Sequence, residues 1–316
     1  MRYIVSLLMI IIFPLSIYAA QVKFHKDLDQ MTPEKKNIPL SNVPAFNVKP
    51  YKTDNIVIQK KVKHVFEKNP VSKNVRAGKI DKKESADAVS HKAGSVEFEV
   101  SKISGAERLI DLDKYTKSDK KVSDVGKEKI RGIAHQYVKD NMPDINPSEM
   151  EFKGIKTIVD SEGTLSKEGA VVSNVKHEVA NYIAIFERKI GKTPVIGAGG
   201  SVRVYMSKNG DPIGHSKVWR EIDKQPKFSK NAVPTSKIKE KFAAKHGKTN
   251  VKEVSANKLY FGYYEEGRNK KQDTLQPVYM VGYTTGPESK ETYEMYNAYT
   301  GEEIQFPDPV GFSNRR

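Results

Sequence analysis

The stretch from residue 181 to 222 most constrains the fold, because most of its length has the pattern of an antiparallel sheet. Apolar side chains occupy alternate positions in the runs 182–187 and 202–207, which is typical of strands with one solvated face. The pair Asn209-Gly210 predicts a tight hairpin turn, because both residues accept positive φ. We therefore expect neighbouring antiparallel strands throughout this stretch.

Residues 1–20 have the pattern of a secretory signal peptide. One basic residue precedes an apolar run that is shorter than the ~20 residues of a membrane span, and alanines follow it. Cleavage after Ala19 and cleavage after Ala20 both fit. We prefer Ala19, because cleavage there places Ile17 rather than the large ring of Tyr18 at the −3 position. The alternative is an uncleaved signal anchor. We expect an exported protein, periplasmic or secreted, with no membrane span after cleavage.

The composition indicates that part of the chain is not folded. Lys and Arg number 54 against 39 Asp and Glu, and only 37% of the residues are hydrophobic. The part concerned is residues 21–94, where prolines and lysines are frequent and apolar residues follow no period. We predict a disordered basic arm there. The absence of cysteine excludes disulfides, thiol catalysis and cysteine-ligated zinc sites.

Two later segments share one order of predicted elements: a helix, a strand, a loop, a strand, a second loop and a strand with a glycine turn. The first is residues 95–222, with its helix at 125–141. The second is residues 235–306. A linker at 223–234 separates them, and residues 307–316 form a tail. The shared order predicts a repeat. We therefore expect an α+β fold of two similar modules behind the disordered arm, each a helix packed on an antiparallel sheet.

Three segments carry a resemblance to a known family. They are LQPVYMV at 275–281, YTGEEI at 299–304 and YIAIFERKIGKTPVIGAGGSVRVYMSKNGDPI at 182–213. Over about residues 95–306 the chain resembles the PepSY and FTP (fungalysin/thermolysin propeptide) modules. The resemblance implies an exported module that docks on a protease or another enzyme as a chaperone or inhibitor, or that binds an envelope protein. Because the sequence has no HExxH motif, we expect a free-standing, non-catalytic binding protein.

The segments that resemble catalytic or metal-binding motifs lack the residue spacing or the secondary structure that those motifs require. His177-Glu178 begins like a zinc-binding HExxH helix, but the fifth residue is Asn181 and the segment predicts a strand. A metal site that pairs His177 with His215 is the remaining alternative. The glycine-rich run 197–200 lacks the lysine of a phosphate loop and predicts a hairpin connection. We therefore predict no enzyme activity, no cofactor and no metal.

Tyrosines are concentrated on the predicted strands near the C-terminus, and exposed tyrosine-rich sheet faces bind proteins. The predicted partner-binding residues are Tyr260, Tyr263, Tyr279, Tyr293 and Tyr296. The alternative is an ordinary core with scattered surface tyrosines. The expected partner is an exported protease or an envelope protein. A second hypothesis is that the lysine-rich arm binds an anionic polymer or a cell surface by charge. No motif indicates specific nucleic-acid binding.

Overall fold

The structure, a computed structural model, describes residues 21–25, 28, 38–72, 80–116, 125–165, 172–248, 253–286 and 289–305. The predicted signal peptide and C-terminal tail lie outside the described residues. Within them the strands are β1 (Gln21–Phe24), β2 (Val43–Val48), β3 (Asp81–Glu84), β4 (Ala88–Ala93), β5 (Val96–Ser101), β6 (Glu107–Asp111), β7 (Met150–Leu165), β8 (Val172–Ile190), β9 (Thr193–Gly197), β10 (Ser201–Ser207), β11 (Pro212–Val218), β12 (Ile222–Lys230), β13 (Glu253–Glu265), β14 (Thr274–Thr284), β15 (Thr292–Asn297) and β16 (Glu303–Ile304). The helices are α1 (Asn55–Lys68), α2 (Leu112–Thr116), α3 (Lys127–Asn141) and α4 (Thr235–His246).

All sixteen strands of the described residues belong to one mixed sheet. Its main path runs β12-β2-β14-β13-β9-β8-β10-β11-β6-β5-β4-β3, with β1, β7, β15 and β16 joined beside it. Most neighbouring strands are antiparallel, whereas β1 and β9 each pair with β13 in parallel. The chain is therefore mainly β.

The prediction of two separate helix-on-sheet modules in an α+β fold is wrong. Strand β9 pairs with β8 on one side and with β13 on the other, so strands of both predicted modules share one sheet. The linker predicted at 223–234 includes most of β12, which pairs with β2. A similar order of elements does not reveal which strand edges meet, because that pairing is non-local. The domain bounds at 95–222 and 235–306 stay a prediction.

The prediction of a disordered arm is also wrong for the described residues between 21 and 94. Strand β2 lies inside the sheet, between β12 and β14. Helix α1 begins after Asp54, whose carboxylate accepts the backbone N–H of Val57 as an N-cap. Its Ile58 and Val65 are buried, and Val65 packs in the core beneath the helix. The apolar residues of α1 have helical spacing, but the lysines between them hide the pattern.

The sheet predicted between residues 181 and 222 is confirmed by β8, β10 and β11. Buried residues of β8 and β10 face each other in register, as Tyr182 with Met206, Ala184 with Val204 and Phe186 with Val202. The predicted first helix is α3, and its Ile130 and Ala134 are fully buried against this core. Period-two and helical spacing therefore identified these local elements correctly.

A second core lies beneath α4. The helix buries Ile238 and Phe242 against β13, β14 and β15, where Leu259 and Tyr279 are fully buried. None of the described helices combines the length and the apolar run that a membrane crossing requires.

Candidate functional site

The five tyrosines predicted to bind a partner lie on β13, β14 and β15, but not on one face. Tyr263, Tyr279 and Tyr296 are buried. The hydroxyl of Tyr279 donates to the carbonyl of residue 233, and Tyr296 donates to a glutamate beside it. A partner could not contact these three without opening the sheet. Tyr260 and Tyr293 are half-buried on the opposite face from α4. That any of the five binds a partner stays a prediction.

Tyr260 and Tyr293 belong to an apolar patch that crosses four strands. In one row Tyr260 faces Met280 and Met280 faces Met295. Met295 in turn faces Ile304 on β16. Tyr293 lies on β15 two residues before Met295, on the same side of the sheet. We call these five residues the tyrosine–methionine face. It combines two half-exposed phenol groups with buried methionines.

The ring of Tyr293 lies over Gly282 of the neighbouring strand, where a Cβ atom would come within 3.0 Å of the ring. Its hydroxyl donates to Glu291, which also pairs with Lys258 at 2.7 Å. Burial raises the pKa of Tyr260. The Tyr260 phenol therefore stays protonated at neutral pH. The arrangement offers a preformed aromatic surface with a charged border.

A second candidate site is a cavity of about 260 Å³ between α1, the end of α3 and strands β5, β6 and β11. We call it the α1 cavity. The lining contains two imidazoles and several charged groups. They include the side chains of Lys60, Lys61, His64, Glu107, His215 and Lys217.

Glu107 is the central anion of the α1 cavity. Its Oε1 lies 3.1 Å from Nζ of Lys217 and also accepts from Nζ of Lys61. Burial alone would raise the pKa of Glu107, but these two ammonium groups outweigh it and hold the pKa at about 2. Burial disfavours the Lys217 ammonium, yet Glu107 and Asp144, the latter 2.7 Å away, raise the pKa of Lys217. The cluster is therefore fully charged at neutral pH.

His215 is held in one orientation by a chain of hydrogen bonds. Asn69 accepts the backbone N–H of Val71 with Oδ1 and donates to the Tyr137 hydroxyl with Nδ2, at 3.0 Å each. The Tyr137 oxygen lies 2.8 Å from Nδ1 of His215. The Tyr137 hydroxyl also lies 3.2 Å from Oδ1 of Asn69, which already accepts Val71 N–H, so we assign the phenol proton to the shorter contact with His215 and the imidazole proton to Nε2. Burial lowers the pKa of His215 to about 4, so the ring is neutral at pH 7.

The Nε2 atom of His215 has no hydrogen-bond partner among the described residues. It lies 4.0 Å from Oε2 of Glu107, which is too far for a hydrogen bond. His64 Nε2, on another wall of the same cavity, is likewise buried without such a partner in the described part of the chain. The α1 cavity therefore has unused hydrogen-bonding capacity.

A third cluster, which we call the arginine network, joins β8, β13 and the end of β11. The Nε atom of Arg188 donates to Glu149 at 2.8 Å, and its Nη1 donates to the carbonyl of Arg220 at 2.7 Å. Arg220 donates to three carbonyl oxygens of the loop 266–270. Buried Glu265 accepts the backbone N–H of Arg220 at 2.9 Å and lies 3.5 Å from Arg188. In this network the arginine side chains donate their hydrogen bonds to other groups of the protein.

Sequence analysis identified neither the α1 cavity nor the arginine network. One signal was available for the cavity, since the period-two pattern from Ile213 places His215 and Lys217 on the same side of β11. All three side chains are buried. A lysine and a histidine at inward positions of a strand indicate a buried polar cluster.

The predictions about metals are tested only in part. His177 and Glu178 lie in β8, as a strand, but their side chains are outside the described residues. Within the described residues no three or more His, Asp or Glu side chains are placed to hold a metal ion together. The glycine run 197–200 connects β9 to β10, as predicted.

No protein-family model matches the chain, and no curated protein matches its sequence. Among solved structures, an uncharacterized protein from Eubacterium rectale is similar, with a TM-score of 0.53 and 12% identity over 84% of this chain and 86% of that chain. At this identity the likeness concerns the fold alone. The C-terminal domain of YpeB from Bacillus megaterium matches with 12% identity over 81% of this chain and 99% of that one, at a TM-score of 0.34. That score is too low to support an argument. The resemblance to PepSY and FTP modules stays a prediction.

Proposed function

We propose that this chain is an exported, non-catalytic binding protein that holds another protein on its tyrosine–methionine face. The observation that carries the proposal is the pair of half-exposed rings of Tyr260 and Tyr293 on one side of the sheet, beside the buried Met280 and Met295. The resemblance to PepSY and FTP modules favours a protease or an envelope protein as the partner.

The chemistry of the tyrosine–methionine face fits protein recognition. Tyrosine is enriched at protein interfaces, because it supplies a large contact area and keeps a polar tip. The two half-exposed rings of Tyr260 and Tyr293 would form the centre of a contact. Strands lie about 4.8 Å apart, so the row spans roughly 14 Å, the size of an interface centre rather than of a whole interface.

The test uses the chain from Gln21, immobilised and exposed at physiological salt to the exported proteins of its own cells. A double variant, Tyr260→Ser with Tyr293→Ser, removes both rings from the face. Tyr205→Ser is the matched control, because Tyr205 is a half-buried tyrosine on β10, away from the face. We expect the wild type and the control to retain one exported protein, and the double variant to bind it at least tenfold more weakly.

Equal retention by the double variant would overturn the proposed face. Salt distinguishes the alternative hypothesis of a polyanion binder. Binding to an acidic polymer would collapse between low and physiological ionic strength, whereas contact through the tyrosine–methionine face would persist. Capture of acidic polymer alone, lost at physiological salt, would favour the alternative.

A further inference from the structure

We infer that the α1 cavity binds a small aliphatic carboxylate. The carboxylate group is held by His215, His64 and Lys60, and the alkyl end lies against Val65 and Phe98. This inference is independent of the tyrosine–methionine face.

The first observation is the unmatched Nε2 of His215, which is a donor in the tautomer assigned above. Its side chain is 2% exposed, and its Nε2 has no hydrogen-bond partner among the described residues. The bond from Tyr137 to Nδ1 fixes the ring, so the donor cannot turn to another acceptor. A buried donor left unmatched costs stability unless a ligand or a water accepts from it. A bound carboxylate oxygen would accept this bond.

Two further groups converge on the same cavity. His64 lines it with an Nε2 atom that is buried and has no hydrogen-bond partner in the described residues. Lys60 stands exposed at its rim, without an ion pair to any described residue. Because α1 carries both side chains, they lie on the wall that faces β11 and His215. A single anionic group near this wall could contact all three.

The charge of the lining favours an anion. The ammonium groups of Lys60, Lys61 and Lys217 outnumber the carboxylates of Glu107 and Asp144 by one. Lys61 and Lys217 are already paired with those carboxylates. The cation that remains is Lys60. A ligand with one negative charge would balance the lining.

The size and the apolar wall favour a short aliphatic acid. The cavity of about 260 Å³ is smaller than the roughly 300–1,000 Å³ of drug-sized ligand sites. Val65 and Phe98 are buried and contribute hydrocarbon surface to the lining. Each buried CH₂ contributes about 0.8 kcal/mol, so affinity should rise with chain length until the cavity is full. Phosphate would lack this gain.

The experiment titrates the chain from Gln21 with sodium formate, acetate, butyrate and phosphate, at constant ionic strength set with sodium chloride. The melting temperature and the imidazole nitrogen signals of His215 are measured. We expect saturable shifts that are strongest with butyrate, weaker with acetate and formate, and weakest with phosphate. The butyrate complex should change the Nε2 signal of His215.

Lys60→Gln should weaken butyrate binding by about tenfold, because one charge contact is lost. Lys63→Gln is the matched control, since Lys63 is an exposed lysine on the same helix that does not line the cavity. It should bind as the wild type does. The Tyr260→Ser, Tyr293→Ser variant should also bind butyrate normally, which separates this inference from the proposed function.

Three outcomes would overturn the inference. One is the absence of a saturable response to any carboxylate. Another is an equal response to phosphate and butyrate, which would indicate general anion binding at the surface. The third is an equal loss in Lys60→Gln and Lys63→Gln. The nitrogen signals of wild-type His215 keep the test decisive even if a variant folds poorly.

Discussion

The α1 cavity and the arginine network both bury charged side chains in the same sheet, yet they use them differently. In the arginine network, Arg220 donates to three carbonyl oxygens, and Glu265 lies between Arg188 and Arg220. In the α1 cavity, Nε2 of His215 is buried and has no hydrogen-bond partner among the described residues.

Buried charged clusters can therefore have two different roles. When donors are matched by backbone carbonyls, the cluster fixes the relative positions of loops and strands. When a donor is held in one orientation but left unmatched beside a cavity, the cluster has capacity for a ligand. Burial alone does not separate the two, because Glu265 and His215 are both almost fully buried. Oε2 of Glu265 also has no hydrogen-bond partner among the described residues, but it lies 3.5 Å from Nη1 of Arg188 in an ion pair.

The largest expected effect is the loss of the central anion of the arginine network. Glu265→Ala should lower the free energy of unfolding by about 3–5 kcal/mol, because two buried arginines lose their shared counter-charge. Denaturant unfolding measures it. Glu221→Ala is the control, since Glu221 forms an exposed pair with Lys49 and should cost less than about 1 kcal/mol. Similar losses in both variants would show that the network is not structural.

The second largest effect should be a loss of folding stability in acid, caused by the titration of groups in the α1 cavity. The folded pKa of His215 is lowered to about 4 from 6.5. As the pH falls from 6.5 to 4, the unfolded chain binds a proton here that the folded chain does not. Stability present above pH 6.5 is therefore lost across this window, by about 3 kcal/mol. The loss from Glu107 follows from pH 4.5 to about 2, by the same sign.

Unfolding curves at pH 7 and pH 4 test the contribution of His215. In His215→Gln the free energy of unfolding should fall less between pH 7 and pH 4 than in the wild type. This comparison does not depend on the stability of the variant at pH 7. His135→Gln, on the exposed side of α3, is the control and should keep the wild-type slope. An unchanged slope in His215→Gln would contradict the assignment.

Close packing around the arginine network gives the third effect. The Cβ of Gly199→Ala would stand closer than 3.0 Å to the carbonyl oxygen of Glu266, so the loop must shift. We expect a loss of about 1–3 kcal/mol in the free energy of unfolding. Gly132→Ala on α3 is the control, because nothing lies within 4 Å of its added Cβ. That variant should gain about 1 kcal/mol from helix propensity. A tolerated Gly199→Ala would mean that the loop is loosely packed.

The smallest effect is expected beside the α1 cavity, at the hydrogen-bond partner of His215. Tyr137→Phe removes the hydroxyl between Asn69 and His215. The cost should be only about 1 kcal/mol, because water can enter the cavity and replace the lost partner. The imidazole nitrogen signals of His215 should also change, since its Nδ1 loses a fixed donor. Tyr115→Phe is the control. A loss as large as that of Glu265→Ala would contradict the contrast between the two clusters.

Local patterns in the sequence predicted the elements well. The helix predicted at 125–141 is α3, and the helix predicted to begin at Thr235 or Ser236 is α4. The turn at Asn209-Gly210 separates β10 from β11, and Gly210 has the positive φ that the turn requires. These features depend on residues close in sequence, which the spacing of side chains records directly.

The sheet and the sites could not be predicted in the same way. The parallel pairing of β9 with β13 joins residues about 68 positions apart, such as Val195 and Tyr263, and no local pattern encodes it. The hydrogen bond between Tyr137 and His215 is likewise a long-range contact. The tyrosines could be assigned to strands, and their spacing places Tyr260 and Tyr263 on opposite sides of β13, but it does not reveal which side α4 covers.

The position of the N-terminal strands sets the order in which the chain can fold. Strand β1 pairs with β13, and Lys23 and Glu253, 230 positions apart, form an ion pair across them. Strand β2 is inserted between β12 and β14. A chain that leaves the ribosome N-terminus first can pair β2 with β12, but the other edge of β2 stays open until β14 has been made. Such distant pairings fold slowly, so this half of the sheet should close last and expose an aggregation-prone intermediate before it does.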